Sequence, residues 1–312
     1  MKSQGRFSFL GLKEKTQAHK MNTLHEIKIG TLCNNNCIFC LNEKRDDIVS
    51  KEHIFQEIEK CKEGGIDSIS FTGGEPAIRK DFFELLGFAN KRGMKIGIHS
   101  NGRIFSYFSF SKKVLEFCPK DYMVSLHAHN EGLNYKLTRV KGAFRQSVDG
   151  IKNLIRLNGQ NAVLVNVVVN RFNVNHLKDI AEHHISLGVK KVQFSWVRPQ
   201  GKVIGNEEKF IPRYKDNLCY LKDACDYILD EGANLSIREV PFCLFDGYKD
   251  YIKNPYADMV VFSEDGSKKS ADRWVAEKRK VYAEKCCLCD YKDRCSGVFK
   301  RYIETFGDGE FD

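Results

Sequence analysis

Gly30-Thr-Leu-Cys-Asn-Asn-Asn-Cys-Ile-Phe-Cys-Leu41 places Cys33, Cys37 and Cys40 within eight positions, directly after a short strand-like run, His25-Glu-Ile-Lys-Ile29. A structural zinc or an ordinary iron–sulfur cluster takes four protein ligands. A compact three-cysteine loop therefore leaves one coordination position vacant, and a vacant position is where chemistry happens. The bland alternatives are a zinc loop that borrows a fourth ligand from elsewhere, or a set of buried structural thiols.

Further along, Ser68-Ile-Ser-Phe-Thr-Gly-Gly-Glu-Pro76 is a β-rich run ending in a Gly-Gly-Glu-Pro turn. Gly73 and Gly74 let the backbone approach a ligand closely, Glu75 offers a carboxylate to an ammonium, and Pro76 fixes the exit of the chain. The C-x3-C-x2-C loop followed by this turn resembles the radical S-adenosylmethionine (SAM) superfamily. The resemblance implies a [4Fe-4S] cubane held by Cys33, Cys37 and Cys40, its fourth iron chelated by the amino and carboxylate groups of SAM. One electron from the cluster then cleaves SAM to methionine and a 5′-deoxyadenosyl radical, which abstracts hydrogen from an unactivated carbon.

It also implies a SAM-contacting set: Gly73, Gly74, Glu75 and Pro76, then Ser100 and Asn101 after strand three, Ser125 after strand four, and Asn166 on strand five. His127 stands where related enzymes show the aspartate of a Ser-Leu-Asp run, so a carboxylate gives way to a group that can donate, accept or titrate. A catalytic proton-transfer role for His127 and a plain place in the lining both stay open, as they do for His129. Asn170, Arg198 and Gln200 are weaker candidates.

At 312 residues, 42% hydrophobic and 12% aromatic, the chain has enough apolar material for one sizeable core plus a small appended domain. No apolar run approaches the roughly eighteen residues of a membrane helix, and the N-terminus lacks a signal-peptide pattern, so the expected location is cytoplasmic. Twelve cysteines without an export signal argue for reduced thiols and metal ligation. Cys61, Cys118, Cys219 and Cys225 lie singly and read as small buried hydrophobes. The net charge of +9 invites a nucleic-acid partner, but lysines alternate with glutamates along helix-like faces, which is the pattern of a solvated surface.

Strand-like and helix-like segments alternate from about residue 26 to about residue 200, the rhythm of βα units on a parallel sheet. Strands are expected at 25–30, 67–72, 94–99, 121–126, 162–169 and 189–197, and helices at 51–63, 81–92, 111–117, 144–158 and 173–187. Residues between strand four and Gly142 read as a long polar loop. Six beats suit the partial (β/α)6 barrel that the resemblance implies, with a doubly wound sheet as the alternative. The expected division is a lead-in over 1–25, a core barrel over 26–205 and a C-terminal domain over 206–312. Within the last, residues 212–230 read as a helix and 235–240 as a short strand.

Cys286, Cys289 and Cys295 recur in Glu284-Lys-Cys-Cys-Leu-Cys-Asp-Tyr-Lys-Asp-Arg-Cys-Ser-Gly297. A zinc knuckle completed by Cys287 or Cys243 is one reading. The C-x2-C-x5-C spacing is similar to the middle of the SPASM motif of radical SAM enzymes that carry auxiliary clusters. Phe299 stands where the next cysteine of that motif falls, so the resemblance implies the shortened, twitch-type version: one auxiliary [4Fe-4S] cluster on Cys243, Cys286, Cys289 and Cys295. Cys287 competes with Cys286 for its place.

The resemblance implies a reductant such as flavodoxin or ferredoxin. It favours modification of a ribosomally made peptide by crosslinking, epimerisation or another oxidation. Only about 25 residues precede strand one, too few for a packed leader-binding domain, so a precursor peptide would need a separate leader-binding protein. The runner-up is dehydrogenation or rearrangement of a small sugar, aminocyclitol or nucleotide. An iron–sulfur electron carrier and a zinc-knuckle nucleic-acid binder are the non-catalytic alternatives; the first has no use for the Gly73–Pro76 turn.

Overall fold

The computed structural model describes residues 24–42, 46–254, 260–262, 268–270, 279–292 and 294–311. The lead-in before residue 24 and most of the basic stretch near 267–279 lie outside them. Seven parallel strands run side by side in chain order: β1 (Leu24–Lys28), β2 (Ser68–Thr72), β3 (Lys95–Ser100), β4 (Asp121–Ser125), β5 (Val163–Val169), β6 (Lys191–Trp196) and β7 (Asn234–Arg238). Between them run α1 (Lys51–Glu63), α2 (Phe82–Lys91), α3 (Phe108–Leu115), α4 (Glu131–Thr138), α5 (Ala143–Asn158), α6 (Leu177–Ser186), α7 (Glu207–Phe210) and α8 (Tyr214–Asp230). The result is a curled α/β sheet, a partial barrel with its helices outside.

Alternation along the strands fixes which residues meet the helices. Ile27, Phe71, Ile98, Val124, Val165 and Phe194 point outward and pack with Ile54, Ile58, Leu85, Leu86, Ile151 and Leu154 in one core, each worth about 1.5–3 kcal/mol on burial. The intervening positions point inward and are mostly polar. Glu26 pairs across with Ser70, His99 with Met123, and Ser125 with Asn166, which itself pairs with Gln193. A one-residue slip would drive these polar groups into the helix layer, so the register is strongly specified.

The sheet has seven strands where the periodicity gives six. A run of short turns and the one-turn α7 interrupts the pattern between β6 and α8, but α8 and β7 then resume it within the stretch expected to belong to the C-terminal domain. The polar loop after strand four contains α4, which has no hydrophobic period because it buries Asn134 and Thr138 beside Leu137. Helix α3 begins and ends earlier than expected. Cys61 and Cys225 are buried as expected, whereas Cys118 and Cys219 are exposed.

The C-terminal segment is tied to the barrel by aromatic rings. Trp196 of β6 stacks on Tyr214 at 5.1 Å, and Tyr214 meets Tyr302, in the last helix Lys300–Phe306, at 4.7 Å. The Tyr302 hydroxyl donates to buried Glu310, and Tyr214 donates to the Glu239 carbonyl at 2.8 Å. Lys280–Val281 pairs antiparallel with Val298–Phe299, framing the segment that carries Cys286 to Cys295.

Candidate functional site

The cysteine loop has little secondary structure of its own and is held by its neighbours. Asn36 and Ile38 donate their backbone N–H groups to Thr138 and Leu137 at 2.8 and 3.0 Å, so the end of α4 supports the loop from one side. Arg103 donates to the Asn34 carbonyl and, at 3.1 Å, to Asn35 Oδ1. On the other side Gly74 N donates to the Gly30 carbonyl at 2.9 Å and Glu75 N to that of Leu32 at 2.7 Å.

That contact explains the paired glycines. A Cβ on Gly73 would lie 2.1 Å from the Gly30 oxygen, and one on Gly74 would lie 2.0 Å from that of Leu32, so any side chain would push the turn off the cysteine loop. The close approach expected toward a ligand is also an approach of two backbone segments. Glu75 faces the turn after β3. It is buried, accepts from Asn101 N at 2.7 Å, Ser100 Oγ at 2.9 Å and Ala77 N at 3.2 Å, and does not line the cavity. Burial pushes its carboxyl up to about 7, with those hydrogen bonds opposing. Glu75 thus ties the turns after β2 and β3 together, while Pro76 lies in a separate small depression.

One cavity of about 330 Å³ collects the remaining N-terminal candidates: Cys33, Cys37, Cys40, Gly73, Gly74, Ser100, Asn101, Ser125, His127 and Asn166. Asn101 donates from Nδ2 to Asn34 Oδ1 at 2.6 Å, beside Cys33 Sγ at 3.8 Å. Asn166 Oδ1 accepts from Gln193 Nε2 and Ser195 Oγ, both at 2.8 Å. His127 meets the edge of Phe39 at 5.1 Å, and its Nδ1 accepts the Val168 N–H at 3.0 Å, which leaves the ring proton on Nε2. Burial pushes the ring down to about 4, so His127 is neutral near pH 7.

Glu26, His99, Gln193, Ser195 and Arg238 also line this cavity and went unnoticed in the sequence. The signal was present as polar residues alternating with apolar ones, as in Lys191-Val-Gln-Phe-Ser-Trp196. Arg198 lines the cavity and donates from Nε to Glu239 Oε1 at 2.8 Å, while Lys280 meets the other oxygen at 2.9 Å. Burial alone would raise the Glu239 carboxyl, but the two cations hold it below the usual carboxylate range. Asn170 is bound up in the turn before α6, and Gln200 accepts from Arg279 at 2.8 Å; neither lines the cavity.

Cys243, Cys286, Cys289 and Cys295 line a second, smaller pocket with Phe242, Tyr291 and Phe311. Cys287 is exposed and takes no part in it.

A family profile described as "Radical SAM superfamily" matches residues 27–184. The chain belongs to the radical SAM superfamily, enzymes that use a [4Fe-4S] cluster and SAM. A curated relative from Saccharolobus islandicus, described as a probable GTP 3',8-cyclase, is 31% identical over 179 residues, covering 56% of this chain and 57% of the relative. This chain therefore spans little more than half the length of the curated relatives it matches. In fold it is similar to Streptococcus suis SuiB bound to precursor peptide SuiA, with a TM-score of 0.65, 17% identity and coverage of 93% of this chain and 74% of that one. It is also similar to anSMEcpe with bound AdoMet and the Kp18Cys peptide, at a TM-score of 0.64 and 18% identity over 89% of each chain. Among the described residues, no helix is long and apolar enough to cross a membrane.

Proposed function

We propose that the chain modifies a peptide side chain by hydrogen abstraction, with Cys33, Cys37 and Cys40 holding the SAM-binding cluster and Cys243, Cys286, Cys289 and Cys295 an auxiliary one. When bound, the cluster and SAM supply a 5′-deoxyadenosyl radical. The chain's own residues do the rest. The Gly73–Gly74 turn and Asn101 set the cysteine loop against the cavity, and Ser125, Asn166 and Ser100 offer polar groups to SAM. Neutral His127 presents an N–H donor rather than a charge. The proposed core runs from about 26 to about 238, because α8 and β7 complete its sheet, and the C-terminal domain that follows is joined to it through Arg198, Glu239 and Lys280.

The observation that carries the substrate class is the balance of charge in the cavity. Among the described residues its arginines are Arg198, engaged by Glu239, and Arg238, and both share the lining with the acidic Glu26. A nucleoside triphosphate needs a stronger cationic cradle than this. At about 330 Å³ the cavity is near the lower limit for ligand sites. The likeness in fold to SuiB and anSMEcpe, both recorded with peptides, supports this reading. A flavodoxin or ferredoxin supplies the electron.

The match to GTP 3',8-cyclase relatives favours a second reading, a nucleotide or other small substrate. The two separate in one assay. Reconstituted protein is incubated anaerobically with SAM and dithionite, with GTP or with a short precursor peptide encoded beside the gene. Peptide-dependent 5′-deoxyadenosine and a change in peptide mass support the proposal; GTP-dependent turnover without peptide modification overturns it.

A further inference from the structure

We propose a separate site for a divalent first-row cation at the rim of the barrel, where the β4–α4 and β5–α6 connections meet, formed by His129, His176 and Asp179. His129 lies in the loop between β4 and α4, His176 directly precedes α6, and Asp179 lies in its first turn. One ligand atom from each lies within 4.8 Å of the other two, the one such trio of His, Cys, Asp or Glu among the described residues. His176 Nδ1 is 3.3 Å from Asp179 Oδ2, and the two imidazole rings are 5.4 Å apart. Small rotamer changes in partly exposed side chains suffice to bring the three atoms to one ion at about 2.0–2.2 Å.

An exposed His–Asp pair by itself is most simply an ion pair. Two further observations set this one apart. The Nδ1 atom of His183 is buried with no hydrogen-bond partner among the described residues. His183 follows Asp179 by four positions, so it shares the helical face of His176 and Asp179 and offers a fourth ligand. An imidazole whose ring nitrogen lacks a partner beside such a cluster is what a cation would satisfy.

The donor set is imidazole and carboxylate without thiolate, which suits zinc and its neighbours rather than a cluster. The start of α6 disfavours a cation through its dipole, and the Asp179 carboxylate supplies the compensating charge. Asn130 donates from Nδ2 to His129 Nε2 at 2.6 Å while its Oδ1 caps α4. Binding through Nε2 returns that amide to water at the exposed surface without disturbing the cap.

The test uses the reconstituted holoenzyme under anaerobic conditions, its seven cluster cysteines already occupied by iron, dialysed against Zn²⁺ and counted for zinc and iron together. The expected result is one zinc per chain at unchanged iron, with nitrogen and oxygen but no sulfur in the X-ray absorption first shell. His176→Ala and Asp179→Ala each weaken binding about tenfold or more, and the neighbouring exposed substitution Glu182→Ala does not. Zinc bound with a sulfur scatterer, non-saturable binding, or equal affinity in all three variants would overturn the proposal.

Discussion

The cysteines of the N-terminal loop and those of the C-terminal segment meet the same chemical demand in opposite ways. Cys33, Cys37 and Cys40 sit at the mouth of a cavity of about 330 Å³, on a loop shaped by α4, Arg103 and the Gly73–Gly74 turn. Cys243, Cys286, Cys289 and Cys295 line a pocket of about 20 Å³ between aromatic rings, framed by a two-stranded ladder and the turn after β7. Under the proposed assignment, three ligands beside open volume would leave room for a second molecule on the metal, whereas four around almost none would complete a coordination shell. The difference teaches that one residue type sits in two unlike surroundings, one polar and open, the other aromatic and closed. Asn101, Ser125, Asn166 and Gln193 face the open site, while Phe242, Tyr291 and Phe311 face the closed one.

Breaking the open site has the largest expected effect. Cys33→Ala should lower 5′-deoxyadenosine formation by about a thousandfold or more, since it removes part of the catalytic centre itself. Chromatographic quantification of 5′-deoxyadenosine checks it. Cys289→Ala should keep SAM cleavage within about tenfold of wild type yet abolish product formation, because the auxiliary set lies outside the cavity. The same measurements on Cys287→Ser should match wild type.

The joint between the two regions comes next. Glu239→Gln leaves Arg198 and Lys280 short of their shared counter-charge in a buried setting, at a cost of about 3–5 kcal/mol in urea denaturation. The smallest expected effect is on pH dependence. His127 is held by burial at about 4, against an ordinary 6.5. Between those values the unfolded chain takes up a proton that the folded chain refuses, so stability is full above pH 6.5 and falls as the pH drops toward 4. The whole loss is roughly 3 kcal/mol at 1.36 kcal/mol per unit. Urea midpoints at pH 5 and pH 7.5 should therefore differ less for His127→Gln than for wild type.

Much of this was legible in the chain. The six βα beats up to Val197 follow from alternating apolar runs, and the two cysteine spacings were visible at once. What stayed hidden had no apolar period. Helix α4 packs through Asn134 and Thr138, and β7 arrives after an irregular connection. The inward polar set was hidden for another reason: Glu26, His99, Gln193 and Arg238 are far apart in sequence and meet only when the sheet curls. The contact of Glu75 with the backbone of the next turn was hidden too, because a carboxylate in a ligand-like turn looks the same in sequence whether it faces a ligand or a backbone N–H.

The most direct test of the contrast is iron and labile sulfide per chain after anaerobic reconstitution of the Cys33→Ala, Cys37→Ala, Cys40→Ala triple variant beside wild type. The expected result is about four irons retained out of about eight, with the four C-terminal cysteines holding a cubane of their own. Complete loss of iron, with zinc or bare thiols at Cys243, Cys286, Cys289 and Cys295, would contradict it.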